Sequence, residues 1–124
     1  MATASYLHAC AACGFSLRQG DALVGVDAAH IRWHALGGPS DVPNGVALCA
    51  LHHKLLDLGT ITIGLDYRFR VAHGLNGVSA RRLLDEMNGR LLDSPRDLSL
   101  RPAETHLRWH HEQVFRGSTD QLPE

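Results

Sequence analysis

No run in this 124-residue sequence is apolar over the length needed to cross a membrane. The opening MATASYLHACAACG lacks both the basic start and the continuous apolar stretch of a secretory signal. The expectation is a soluble, cytoplasmic protein with no membrane partner. Internal repeats and low-complexity segments are absent, so repeat arrays are excluded. A strong net charge is also missing, with 12 Lys and Arg against 13 Asp and Glu, formally −1. That counts against a strong, nonspecific nucleic-acid binder acting alone. The arginines nevertheless gather after position 66, among them Arg68, Arg70, Arg81 and Arg82, so a local basic surface stays open. Cysteine is scarce: three cannot all pair, and a disulfide framework is not expected. The length suits one domain with a modest core and is short for two ordinary ones.

The first half reads as short strands and turns. Cys10 to Gly14 looks like a knuckle, Ala22 to Ile31 a strand region, and HALGGPSDVPNG a loop dense in Gly, Pro, Asp and Asn. Val46 to Leu48 is a brief apolar run, and Ala50 to Leu58 suits a helix closed by Gly59. Ile61 to Ile63 and Tyr67 to Val71 alternate like half-exposed strands, with residues 64 to 66 as the turn of a hairpin. Two helices are expected after it, about Ser79 to Leu92 and Pro102 to Phe115, the second opened by Pro102. Residues 118–124 are expected to be a flexible tail.

The stretch ALCALHHKLLD, residues 47 to 57, gathers Cys49, His52, His53 and Asp57 within a few turns. Cys10-x-x-Cys13 and Cys49-x-x-His52 have the spacing of two knuckles that together complete a tetrahedral Cys3His zinc site, and this gives the odd cysteine a role. The plainer alternative is a core cysteine, a surface dithiol and an unrelated histidine. A thioredoxin-like redox pair lacks its βαβ context. His53 and Asp57, four residues apart, share another helix face, while Leu51, Leu55 and Leu58 lie on a largely different face available to the core. By itself that His–Asp pair could equally be an ordinary surface contact. Upstream, His30 ends an apolar strand, where an imidazole has to find a partner or a task, and Asn44 follows in the loop.

The order His30, Asn44, His53, in the pieces DAAHIRW, GGPSDVPNGVALC and LHHKLLD, resembles the HNH nuclease family. The resemblance narrows with WHALGGPSDVPNGVALCALHHKLLDLG and RPAETHLRWHHEQVF. These look like the C-terminal nuclease domain of Type IV, modification-dependent restriction endonucleases, particularly those that cut phosphorothioated DNA. It implies an α+β fold: a small zinc-stapled ββα-metal nuclease core over about 8–72, a helical annex over about 73–117, and one nuclease domain over 1–117. No sulfur- or methyl-base-recognition domain is visible, so the targeting domain or subunit is expected outside this chain, and a homodimer is allowed.

By the resemblance, His30 is the general base, because imidazole as a class exchanges protons near neutral pH. Asn44 ties the loop to the His30 strand. His53 binds a catalytic divalent ion, and Asp57 is a second ligand or polarises a water on the ion. Cys10, Cys13, Cys49 and His52 hold the structural zinc. Many relatives carry His or Asp where this chain has Ala29, and often His where it has Asp57, so the catalytic ion is expected to be Mg²⁺ or Mn²⁺, with Co²⁺ or Ni²⁺ as further options. Asp27 is assigned a structural role, since strand alternation turns it away from His30. Double-stranded DNA is the implied substrate, with Arg32, Trp33, Lys54, Arg68 and Arg70 as contact candidates. The bland readings are edge arginines that discourage strand pairing and a core Trp. His106, His110 and His111 are read as surface or packing residues, and Leu107, Trp109, Val114 and Phe115 as docking the last helix. Two other functions remain open here: a nonenzymatic zinc module for DNA or protein binding with a degenerate site, and a phage or homing nuclease.

Overall fold

A computed structural model describes Tyr6 and residues 8–39, 42–93 and 100–117. The expected tail, 118–124, lies outside the described residues. The centre of the fold is an antiparallel hairpin followed directly by a helix. A short pair, β1 (Arg18–Gln19) and β2 (Ala22–Leu23), precedes β3 (Val26–His30), which pairs with β4 (Gly45–Cys49). The register runs from Val26 opposite Cys49 to His30 opposite Gly45. Every residue of β4 is buried. The chain enters α1 (Ala50–Leu58) with no break.

The knuckle of residues 10–13 docks on β4, where the Ala11 N–H donates to the Ala47 carbonyl at 2.8 Å. This single bond carries Cys10 and Cys13 to the end of β4, where Cys49 begins α1. Helix α1 ends at Gly59, which has a left-handed φ of 77°. A Cβ there would lie 2.0 Å from the Val114 carbonyl oxygen, so glycine serves both the cap and the close approach of the C-terminal segment.

The inward face of α1 differs from the expected one. His52 and Leu56 are buried, whereas Leu51 and Leu58 are 46% and 50% exposed and Leu55 is half-buried. The helix is rolled so that His52 meets the cysteines, and Leu56, four residues on, follows it inward.

Strands β5 (Ile61–Ile63) and β6 (Phe69–Val71) form the expected hairpin. The second strand starts at Phe69 rather than Tyr67, because Tyr67 takes a left-handed φ of 60° and Asp66 Oδ1 accepts from the Arg68 N–H, which widens the turn. The helix expected over Ser79 to Leu92 is short. Helix α2 covers Val78–Ala80 and widens into one loose turn over Arg81–Asp85. The backbone beyond it is claimed by the hairpin: Gly89 N–H donates to Phe69 O at 2.7 Å and Leu92 N–H to Tyr67 O at 2.7 Å. Backbone groups already paired to a strand cannot continue a helix.

Helix α3 (Glu104–Gln113) lies against β5 and α1. Leu107 and Phe115 are buried, as expected of docking residues, while Trp109 and Val114 are half-buried. His110 is fully enclosed. Its Nδ1 accepts from the Thr62 hydroxyl at 2.6 Å and its Nε2 donates to the Leu56 carbonyl at 2.8 Å. It thus links α3 to β5 and α1, and burial lowers its pKa to about 4. The core runs through Ile31, Val46, Leu48, Leu56, Ile61, Ile63, Phe69 and Leu107. Among the described residues no helix is long and apolar enough to cross a membrane.

Candidate functional site: a thiol-imidazole cluster beside a histidine and two carboxylates

Cys10, Cys13, Cys49 and His52 converge, with their donor atoms all within 4.8 Å of one another. His52 Nδ1 is 3.1 Å from Cys49 Sγ and 3.7 Å from Cys10 Sγ, and the Cys13 and Cys49 sulfurs are 3.9 Å apart. These are the separations that four donors take around one tetrahedral ion at roughly 2.0–2.3 Å. All three cysteines are free thiols.

The proton chemistry fits the same conclusion. Burial works against ionisation of Cys10. Hydrogen bonding from His52 and from the backbone at Cys49, Ala12 and Cys13 outweighs it and lowers that thiol to about 6. Burial pushes Cys13 up to about 12 and raises Cys49 as well, and Coulombic repulsion from Cys10 adds to both. Three crowded sulfurs cannot all ionise without a countercharge, and a divalent cation is the countercharge that such a donor set accommodates. These residues could therefore hold one metal ion.

A second polar group lies on the next residue of α1. His53 is offset by about 100° from His52 around the helix, so the two rings serve different places. His53 Nδ1 lies 3.0 Å from Asp27 Oδ2, and His53 Nε2 lies 3.3 Å from Asp57 Oδ2. The His53–Asp57 pair matches the one-face expectation. Two donors 3.3 Å apart subtend an angle of about 104° at a cation about 2.1 Å from each, somewhat wider than the right angle of an ideal octahedral site, so a small closing movement would let the pair take a small divalent ion. Asp27, read as structural because strand alternation turns it away from His30, meets the ring of His53 instead. The carboxylate reaches across from β3 to the ring, because α1 folds back over the hairpin that precedes it.

His30 ends β3 opposite Gly45 and is partly accessible. Asn44, the residue just before Gly45, is fully buried. Asn44 Oδ1 accepts from the Arg32 N–H at 2.8 Å, and Asn44 Nδ2 donates to the carbonyls of Arg32 at 2.9 Å and Pro39 at 2.8 Å. The Asn44 carbonyl also accepts from the Ile31 N–H at 2.9 Å. One side chain and its backbone thus clamp the residues just beyond His30 to the loop. Gly38 makes the clamp sterically possible, because a Cβ at that position would sit 1.9 Å from the Arg32 carbonyl oxygen.

The candidate DNA contacts divide into engaged and open groups. Arg70 is paired with Asp66 at 2.6 Å, Arg68 donates to the Gly89 carbonyl at 2.9 Å, and Arg32 donates to the Leu36 carbonyl at 3.3 Å. Trp33 meets Trp109 edge to face at 5.9 Å between ring centroids. Lys54 is exposed on α1, one residue from His53. His111, read as a surface or packing residue, is half-buried and donates to the Ile63 carbonyl at 2.6 Å. His110, read as a surface or packing residue, packs in the core, and the contact of Asp27 with His53 has no signature in the sequence. A buried histidine among apolar neighbours gives no distinguishing pattern in sequence, and strand alternation alone does not show which helix covers Asp27.

Residues 10–64 match the family model of the HNH endonuclease. Among solved structures, the fold is similar to a modification-dependent TagI restriction endonuclease, with a TM-score of 0.69 and 22% sequence identity. That likeness covers 91% of this chain and 35% of the other, so the chain spans about a third of that protein's length. No curated protein matches. The matched segment holds β3, β4 and α1 with His30, Asn44 and His53, so this part of the chain is similar to the HNH endonuclease family.

Proposed function

We propose that this chain is the nuclease domain of a modification-dependent restriction enzyme, hydrolysing phosphodiester bonds of double-stranded DNA with the help of a divalent cation. The observation that carries the reading is the placement of His30, Asn44 and His53 on the strand, loop and helix of one ββα unit inside the family-matched segment. Residues 1–117 form the nuclease domain in this proposal, with core 8–72 and annex 73–117. The recognition domain, for which a phosphorothioate reader is proposed, lies elsewhere.

His30 takes the proton from the attacking water at a ring nitrogen. Asn44 keeps the end of the His30 strand fixed to the loop, so the base is held in place before substrate arrives. His53 and Asp57 present a nitrogen and a carboxylate oxygen to a cation of the Mg²⁺ or Mn²⁺ kind. When bound, that cation supplies positive charge for the scissile phosphate and the leaving 3′ oxygen. Lys54 is the best placed of the contact candidates for a phosphate, being exposed beside His53, and Arg32, Trp33, Arg68 and Arg70 are the further candidates. Cys10, Cys13, Cys49 and His52 hold zinc, which staples the knuckle to the start of α1 and takes no part in the reaction.

Plasmid cleavage by purified protein in Mg²⁺, Mn²⁺, Co²⁺ and Ni²⁺, beside the His30→Ala variant, tests the reading. Wild type is expected to cut in at least one of these, leaving 5′-phosphate and 3′-hydroxyl ends, and His30→Ala to be inactive with zinc and DNA affinity intact. If wild type cuts in none of the four, a zinc-bearing binding module replaces the nuclease. Adding a sulfur-recognition domain is expected to confer preference for phosphorothioated DNA. Strong discrimination by the chain alone would place recognition within these residues.

A further inference from the structure

The His53 ring has a carboxylate on each nitrogen, and the two come from different elements. Asp27 Oδ2 on β3 faces Nδ1 at 3.0 Å, and Asp57 Oδ2 on α1 faces Nε2 at 3.3 Å. An ionised carboxylate only accepts hydrogen bonds, and a neutral imidazole has one N–H and one lone pair. A doubly protonated ring would donate to both carboxylates. A ring that ligates a cation keeps one N–H, so one carboxylate can accept that N–H while the other shares the cation with the second nitrogen. In the ligating form, the shorter contact, to Asp27, is the one suited to the N–H, which leaves Nε2 for an ion shared with Asp57.

We infer that Asp27 is a positioning residue: it accepts the Nδ1–H of His53, fixes that ring's tautomer and rotation, and so presents Nε2 together with Asp57 to a divalent cation. The inference rests on the proposal that His53 and Asp57 hold the catalytic ion. It adds that the site is prepared from β3, the strand that ends in His30, three residues after Asp27. The hairpin thus holds both the base and the group that aims the metal ligand. Carboxylates in this outer position on metal-binding histidines commonly govern affinity by 10- to 100-fold.

The test is Mn²⁺ binding by the zinc-loaded protein, read from the electron paramagnetic resonance signal of free Mn²⁺, with zinc content and melting temperature measured alongside. Asp27→Ala is expected to weaken Mn²⁺ binding at least about tenfold while zinc and melting temperature stay at wild-type values. Asp27→Asn is expected to recover most of that loss, because an amide oxygen can still accept the Nδ1–H bond. Unchanged affinity in Asp27→Ala overturns the inference and leaves the nuclease reading standing. Equal loss in Asp27→Asn and Asp27→Ala also overturns it, since a charged carboxylate bound directly to the ion is then required. If wild type binds no Mn²⁺ and cuts no DNA, the reading of the site falls and takes the inference with it. If wild type binds none yet still cuts DNA with another ion, the inference alone is overturned.

Discussion

His52 and His53 are adjacent on one helix, yet their rings belong to two different clusters: His52 Nδ1 lies 3.1 Å from Cys49 Sγ, and His53 Nδ1 lies 3.0 Å from Asp27 Oδ2. A turn of about 100° per residue makes this division possible without any distortion of the helix. Under the proposed function, the same offset separates stability from activity, so two neighbouring substitutions are expected to have different consequences.

His52→Ala and Cys49→Ala are expected to release the zinc and abolish cooperative unfolding, because a core of this size depends on the staple. His53→Ala should keep one zinc per chain and a melting temperature near wild type, and lose DNA cleavage. Metal analysis and thermal melts on the three variants decide the matter. A Cys49→Ala protein that melts like wild type would falsify the ligand assignment.

Asn44→Ala removes three side-chain hydrogen bonds from a fully buried position and strands the polar backbone of Arg32 and Pro39. A loss of about 3 kcal/mol is expected, together with slower cleavage from a loosened His30 strand. Urea unfolding measures the first effect and single-turnover cutting the second.

Acid should destabilise the fold through His110. Its folded pKa of about 4 is below the value of about 6.5 for an unfolded chain, so the folded state holds fewer protons between these limits. Its contribution is complete above pH 6.5 and is lost as the pH falls toward 4, a change of up to about 3 kcal/mol. His111 is lowered too and acts in the same direction. The melting temperature of wild type is expected to fall more steeply over this range than that of His110→Gln, which cannot titrate. Parallel curves for the two proteins would count against the assignment. Acid release of metal affects both proteins and leaves their difference intact.

Gly59→Ala should destabilise by more than about 2 kcal/mol, through the left-handed φ and the clash with the Val114 carbonyl, lowering the melting temperature by at least about 5 °C. A variant that melts within a degree of wild type would mean that α1 and the C-terminal segment do not approach as closely as 2.0 Å from that Cβ position.

Local spacing determined much of this protein. Two C-x-x-C/H pairs allowed one Cys3His cluster, Gly59 marked the end of α1, and the alternation around residues 61–71 announced a hairpin, because knuckles, caps and two-residue periods are short-range geometry. The roll of α1 was decided only by tertiary structure: the docking of Ala11 on β4 brings the cysteines to His52, and this turns Leu56 inward and leaves Leu51 and Leu58 exposed. The end of α2 was decided the same way, when the hairpin took the backbone bonds of Gly89 and Leu92. His110 became a buried link because Thr62 and the Leu56 carbonyl happen to meet it from two other elements. Asp27 and His53 are 26 residues apart. Alternation along a strand states which face a side chain leaves from, but whether a helix lies over that face depends on packing between distant segments, and no local pattern contains it.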